Sequence, residues 1–156
     1  MVLTGGGAVL SVGRGNYGPR GDGDTSDQLS PGQRRSLGSG IAMGEAGCEH
    51  SRGLTRGGAV LSFGGGNSGR LGHGDTANQL SPVQIQSLGT DNAMVAAGGE
   101  YSPVLTTAGA VLSFGRSNYG QLGHGDTADQ LSPVQIQSLG PDNAMVAAGR
   151  DVSLVL

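Results

Sequence analysis

The chain has no tryptophan, no lysine and one cysteine, and only 3% of its 156 residues are aromatic. A lone Cys48 rules out an intrachain disulfide framework and makes a reducing compartment the default. All 9 basic residues are arginines, and no dense basic stripe with interleaved aromatics occurs, so direct nucleic-acid binding has no footprint. Charged residues make up 13% of the chain and the net charge is −3, too weak for a disordered polyelectrolyte. Long uninterrupted stretches are also missing: the longest run free of both glycine and proline is the eight residues 90–97. Helices average about 11–12 residues and an interior glycine costs about 1 kcal/mol against alanine, which excludes an all-helical fold. A membrane helix of about 20 apolar residues is excluded with it. The opening Met1-Val2-Leu3-Thr4-Gly5-Gly6 lacks the charged and apolar segments of a secretory signal. The expected location is therefore intracellular, cytoplasmic or nuclear, with no membrane association.

What the chain has in abundance is glycine, 32 residues, which with 6 prolines is about a quarter of the total. Aperiodic chains of that composition are usually disordered, so periodicity decides the matter. Gly7-Ala8-Val9-Leu10-Ser11 returns as Gly58-Ala59-Val60-Leu61-Ser62 and as Gly109-Ala110-Val111-Leu112-Ser113, a period of 51. Residues 58–105 laid over 109–156 agree at 38 of 48 positions, and 7–54 over 58–105 at 28. The repeats fill the chain as one domain over 1–156, in units of about 7–57, 58–108 and 109–156.

Each full unit reads as four short strands. Ala59-Val60-Leu61-Ser62-Phe63 is a nearly continuous apolar run, as in a strand covered on both faces. Val83-Gln84-Ile85-Gln86 alternates, as in a strand with one wet face. Met94-Val95-Ala96-Ala97 is apolar but small, which suits a strand at a crowded axis. Tyr101 to Thr107 supplies a fourth, with Pro103 pointing to an edge or a bulge. Four strands at this period describe a β-propeller blade, so the fold expected is an all-β partial propeller of about three four-stranded blades.

The first blade is degenerate. Where the second unit has Leu71, Val83, Ile85, Val95 and Ala96, the first has Arg20, Gly32, Arg34, Gly44 and Glu45. Burying an unpaired charge costs several kcal/mol. Residues 14–53 are therefore expected to be poorly packed or locally disordered, with ordered sheets confined to 58–156.

Phe114-Gly115-Arg116-Ser117-Asn118-Tyr119-Gly120-Gln121-Leu122-Gly123-His124-Gly125-Asp126, then Pro133-Val134 and Val146-Ala147-Ala148-Gly149, resembles the regulator of chromosome condensation repeat. The resemblance covers all three units, the first least well. Kelch blades share the period but usually carry a recurrent Gly-Gly pair and a tryptophan, whereas Gly98-Gly99 here becomes Gly149-Arg150, which leaves kelch second. Propellers of the resembled family typically have seven blades, and three are fewer than the 4–8 or so with which propellers close. The chain starts and stops inside a blade, which implies either an incomplete gene product without independent function or self-association through open blade edges. Two chains would then supply six blades.

Several motifs look chemical. Gly64-Gly65-Gly66-Asn67-Ser68-Gly69 matches the dinucleotide fingerprint, but the following Leu71-Gly72-His73-Gly74-Asp75 cannot start a helix, so a propeller loop is the better reading. His73-Gly74-Asp75 and His124-Gly125-Asp126 offer two ligands per unit, and Asp22 replaces the histidine in the first; a turn in which Asp75 or Asp126 bonds its own backbone outweighs a metal site. Asp22-Gly23-Asp24-Thr25-Ser26-Asp27 opens like a calcium loop but lacks the sixth-position glycine and the final glutamate. His50, His73 and His124 form no arrangement with a nucleophile, and Cys48 sits at a turn position held by Gly99 and Arg150 elsewhere. No catalytic residue, cofactor or metal is assigned, and the chain is not expected to be an enzyme.

The function expected is a noncatalytic protein-interaction module, a rigid stack of sheets presenting loops. Its candidate contact residues are those that differ between two nearly identical units: Arg70, Glu100, Tyr101, Arg116, Tyr119, Gln121 and Arg150. The resemblance implies an alternative, guanine-nucleotide exchange on a small GTPase, and it also points to propellers that accompany ubiquitin-ligase domains. The plant ultraviolet-sensing branch of the family relies on tryptophans, and this chain has none.

Overall fold

A computed structural model of the chain describes residues 1–33, 37 and 40–156. Among the described residues thirteen strands form four antiparallel sheets. The first joins β1 (Val2–Leu3), β2 (Val9–Gly13) and β3 (Gln28–Gln33). The second orders β4 (Ile41–Ala46), β5 (His50–Thr55), β6 (Val60–Gly64) and β7 (Gln79–Gln84) side by side. The third repeats it with β8 (Asn92–Val95), β9 (Tyr101–Thr106), β10 (Val111–Gly115) and β11 (Gln130–Gln135). β12 (Val146–Ala148) and β13 (Ser153–Val155) pair as the fourth. We call these sheets blades I to IV. No helix of the described residues is long and apolar enough to cross a membrane.

The blades are out of phase with the sequence units: β4 and β5 come from the first unit, while β6 and β7 of the same sheet come from the second. Two strand expectations shift with this. Alternation does not run through Gln86, because β7 ends at Gln84 and Gln86–Leu88 is a 3-10 turn; Val83 is exposed and Ile85 buried. Pro103 lies in β9, an interior strand, and not at an edge. Its carbonyl accepts from the Ala96 amide, and with no N–H to return that bond the regular pairing of β8 with β9 stops at Val95↔Val104.

Three apolar clusters lie between successive blades. Val9, Leu37, Ile41 and Phe63 fill the seam of blades I and II. Leu54, Val60, Ile85, Val95, Val104 and Phe114 fill that of II and III, and Ala96, Leu105, Val111, Ile136 and Val146 that of III and IV. The loops between β2 and β3, β6 and β7, and β10 and β11 each clasp the next blade. In the second unit Gly72, at φ +79°, lies so close to Phe114 that an added Cβ would sit 2.6 Å from the ring. Gly21 meets Phe63 in the same way. The serine hydroxyls of Ser51, Ser102 and Ser153 donate to the carbonyls of Pro19, Arg70 and Gln121, seating each loop on the strand that follows.

The first unit departs from the expectation of poor packing. Residues 34–36 and 38–39, Arg34 among them, lie outside the described residues; the rest forms β3, β4 and β5, the last almost wholly buried. Its substitutions come in compensating sets. Arg20 is buried but paired, Nη1 lying 2.9 Å from Asp22 and Nη2 2.5 Å from Asp24. Gly53 stands where Val104 stands in the next unit, and the space is taken by Ile41 and Leu37, whose atoms would come within 3.3 and 3.5 Å of an added Cβ. Gly44, the counterpart of Val95, makes room for Met1.

Candidate functional site

The turns joining β4 to β5, β8 to β9 and β12 to β13 are closed by the same bond: Gly47, Gly98 and Gly149 donate to the carbonyls of His50, Tyr101 and Val152. The turns of blades III and IV are also tied to each other, the Gly99 amide donating to the Arg150 carbonyl at 3.1 Å. Where the turns converge they open a groove of about 420 Å³, lined by Cys48, Glu49, Gly99, Glu100, Arg116, Tyr119, Arg150 and Asp151. Four of the seven contact residues expected from unit-to-unit differences, Glu100, Arg116, Tyr119 and Arg150, thus meet in one place.

The other three are interior. Arg70 is buried beneath the turns, with Nη1 3.3 Å from Glu49 and Nη2 3.4 Å from Glu100, so its guanidinium cross-links two turns. Tyr101 is buried against Gly98 and donates its hydroxyl to the Val152 carbonyl at 2.5 Å. Gln121 is buried, and its Oε1 accepts from the Tyr119 amide at 2.9 Å, fixing the turn that carries Tyr119 outward. These three lie beneath the groove and brace its turns.

Within the groove the charges differ in freedom. Arg116 pairs with Glu100 through Nη1, and that hydrogen bond holds the guanidinium further into its charged form. With the Asn118 amide turned so that its oxygen faces the guanidinium, the same arginine also donates to it from Nε at 2.9 Å. Arg150 is 86% exposed and lies 3.7 Å from Asp151, a surface pair of the kind worth about 0–1 kcal/mol. Tyr119 is 76% exposed. One aromatic ring and one loosely held guanidinium therefore project from a rim on which Glu49, Glu100 and Arg116 are held in ion pairs.

The chemical-looking motifs resolve into loop structure. The Gly66 amide of the Gly-rich run donates to Asn78 Oδ1 at 2.9 Å, so the run is capped by its own loop. Asp75 and Asp126 accept from the amides of Ala77 and Ala128, closing the expected turns. His73 and His124 place Nε2 2.9 and 3.0 Å from Ser62 and Ser113 Oγ. Burial lowers the pKa of His73 in spite of Asp75. Cys48 is exposed on the groove wall. Sequence reasoning passed over Glu49 and Asp151, which line the groove, and the serine triplet that seats the loops. Their signal was sameness: an acid at 49, 100 and 151 and a serine at 51, 102 and 153.

Comparison with known proteins agrees with this architecture. The chain is 38% identical to the ultraviolet-B receptor UVR8 of Arabidopsis thaliana, with 89% of the chain aligned to 32% of that protein. It is 34% identical to the probable E3 ubiquitin-protein ligase HERC3 of Homo sapiens, over 99% of the chain and 15% of the relative. The chain thus spans a third or less of these relatives' lengths. Among solved structures, Prp20p from Saccharomyces cerevisiae, described with its binding properties to Gsp1p and histones, superposes with a TM-score of 0.86 at 21% identity, covering 98% of this chain and 40% of that one. The family model of the Regulator of chromosome condensation (RCC1) repeat matches residues 57–105 and 108–156. Carrying that repeat over more than half its length, the chain belongs to the RCC1 repeat family.

Proposed function

We propose that the chain is a noncatalytic protein-interaction module that takes a segment of a partner protein in the groove at the blade turns. The observation that carries this reading is the convergence of an exposed Tyr119 and an exposed Arg150 on one groove of about 420 Å³ with a braced floor. Tyrosine and arginine are the side chains that most often dominate interface energies, and a pre-ordered backbone lowers the entropic cost of docking. Glu100 and Arg116 act as a fixed polar wall that orients the partner. The same reading places the chain in the nucleus or cytoplasm.

Gsp1p and histones, which Prp20p binds, are the first partners to assay. Binding is measured by calorimetry with the chain and with its Tyr119→Ala/Arg150→Ala variant. The expected outcome is an affinity loss of about tenfold or more with an unchanged unfolding midpoint; equal affinity moves the interface elsewhere. A nucleotide-release assay on the bound GTPase distinguishes the alternative, guanine-nucleotide exchange, since a passive module leaves the release rate unchanged.

A further inference from the structure

Between the outer strands of blades II and III lies a hollow of about 400 Å³ that shares no residue with the groove at the turns. Its polar walls come from Gln79 and Gln84 of β7, Gln86 and Ser87 of the turn after it, Ser132 of β11, and His73 of the loop between β6 and β7. The first five are uncharged, and their side chains form no hydrogen bond among the described residues. The two β7 glutamines are half-buried. Two blades supply these walls, and the Gly74 amide fixes one against the other by donating at 3.0 Å to the carbonyl of Leu131, next to Ser132. Donors and acceptors held in place in advance lower the entropic cost of binding.

His73 adds an acceptor that the fold itself assigns. Ser62 gives its hydroxyl proton to the Leu71 carbonyl at 2.8 Å, so toward the imidazole, 2.9 Å away, it can only accept. The proton of the neutral ring therefore sits on Nε2, and Nδ1 keeps a lone pair with no partner among the described residues. Burial disfavours the charged form of the ring. The first unit lacks this chemistry, since the counterparts of His73 and Gln86 are Asp22 and Arg35, both charged.

The lining decides what the hollow can hold. An ion would lose hydration there and meet no opposite charge. Val83 is its one large apolar side chain and no aromatic ring lines it, so a hydrophobic or flat aromatic ligand has little to lie on. Three carboxamides, two hydroxyls and an imidazole lone pair instead offer donors and acceptors together, which is what a ring of hydroxyl groups requires. The volume falls within the range of about 300–1,000 Å³ of small-molecule sites. We propose that this hollow binds a neutral sugar ring, free or at the end of a glycan, with one hydroxyl donating to His73 Nδ1 and its neighbours bonding the carboxamides of Gln79 and Gln84.

The test is saturation-transfer NMR of the chain with the methyl glycosides of glucose, galactose, mannose and N-acetylglucosamine, beside a glycan array probed with the same protein. The expected result is transfer to at least one sugar with a dissociation constant of about 1 mM or tighter. The nitrogen resonance of His73 Nδ1 is expected to move with it, while that of His124, held in the same tautomer by Ser113, serves as the internal reference. Gln84→Met removes a carboxamide at nearly constant length and is expected to weaken binding by about tenfold with an unchanged unfolding midpoint. Binding on the array alone, weakened by the same variant, identifies the sugar as glycan-borne. Silence in both arms overturns the proposal. So does binding that neither moves the His73 resonance nor responds to Gln84→Met, because the sugar would then sit elsewhere.

Discussion

The seam between blades I and II and the seam between blades II and III share a backbone and several core residues, such as Val9 and Val60, yet differ in a handful of linked positions around it. In the latter, buried Leu71 precedes His73, whose imidazole meets Ser62. In the former, the same two positions hold Arg20 and Asp22, an ion pair 2.9 Å long with Asp24 as a second carboxylate. Behind them, Asn92 ties Gly58 to the neighbouring turn with its amide, and next to it Val104 fills the core; the counterparts are Ile41 and Gly53, an apolar side chain grown where its neighbour has shrunk. What does not change is the pair of contacts between a loop glycine and a phenylalanine, Gly21 with Phe63 and Gly72 with Phe114. The glycines set the approach of the blades, and the remaining positions are free to vary provided they vary in sets.

The largest effect should come from breaking a set. Leu71→Arg places a guanidinium in a buried site that keeps Asp75, the counterpart of Asp24, but has His73 where the first unit has Asp22. It should cost about 3 kcal/mol, the lower end of the range for a buried charge short of a partner. Adding His73→Asp recreates the pair of the first seam and should recover more than half of the loss. Denaturant unfolding of the three proteins measures this. A double variant no better than the single would mean that the two seams differ in backbone after all.

Arg52 tests the comparison in the opposite direction. It is buried, lies 4.7 Å from the centroid of Phe114 and donates from Nη2 to the Arg70 carbonyl, while its Nε and Nη1 have no hydrogen-bond partner among the described residues. Burial pulls its pKa down to about 9. Its counterparts are Pro103 and Leu154, neither charged. Arg52→Leu should therefore stabilise the chain by about 1–3 kcal/mol, the gain seen when buried ions give way to apolar side chains, less the cation–π contact. The lowered pKa means that the cost of the charge is present in full below pH 9 or so and is relieved as pH rises through that value. The stability gap between variant and native chain should narrow above it. A destabilised variant would show that the Phe114 contact and the carbonyl bond outweigh desolvation.

The repeat itself was readable because backbone contact enforces it. Gly58 and Gly109 each lie where a Cβ would stand 1.8 Å from the carbonyl oxygen of Thr90 or Pro141, so glycine has to recur at the period. The phase of the blades was not readable, since a periodic pattern has no intrinsic origin and the strand that opens a sheet looks like any other. Variation between units singled out Arg116, Tyr119 and Arg150, which the fold brings to one groove. It also singled out Arg70, whose burial was not readable, because the carboxylates that let an arginine sit inside come from Glu49 and Glu100, 21 and 30 residues away on turns that only the fold brings together. The decay read into the first unit was real position by position. Arg20, Gly44 and Gly53 each look destabilising alone, and only spatial neighbours show what compensates them.

The smallest effect expected distinguishes the seams by their response to acid. His50 is fully buried at the start of β5, with Nε2 3.3 Å from Ser102 Oγ and Nδ1 without a hydrogen-bond partner among the described residues. Burial first, then the charges of Arg52 and Arg70, hold its pKa well below the usual histidine range. In the unfolded chain the same imidazole titrates near 6.5 or so. As pH falls below that value the unfolded state takes up a proton that the folded state refuses, and stability drops by up to about 1.4 kcal/mol per pH unit. The counterpart Tyr101, whose pKa burial raises, takes up no proton in this range, so the next seam lacks this sensitivity. His50→Phe should leave stability unchanged near neutrality and should flatten the fall below about pH 6.5. Hydrogen exchange in acid should open β5 before β9 in the native chain and lose that order in the variant. Equal slopes for both proteins would mean that His50 accepts its proton in place, and that the seam of blades II and III tolerates charge much as the seam of blades III and IV does.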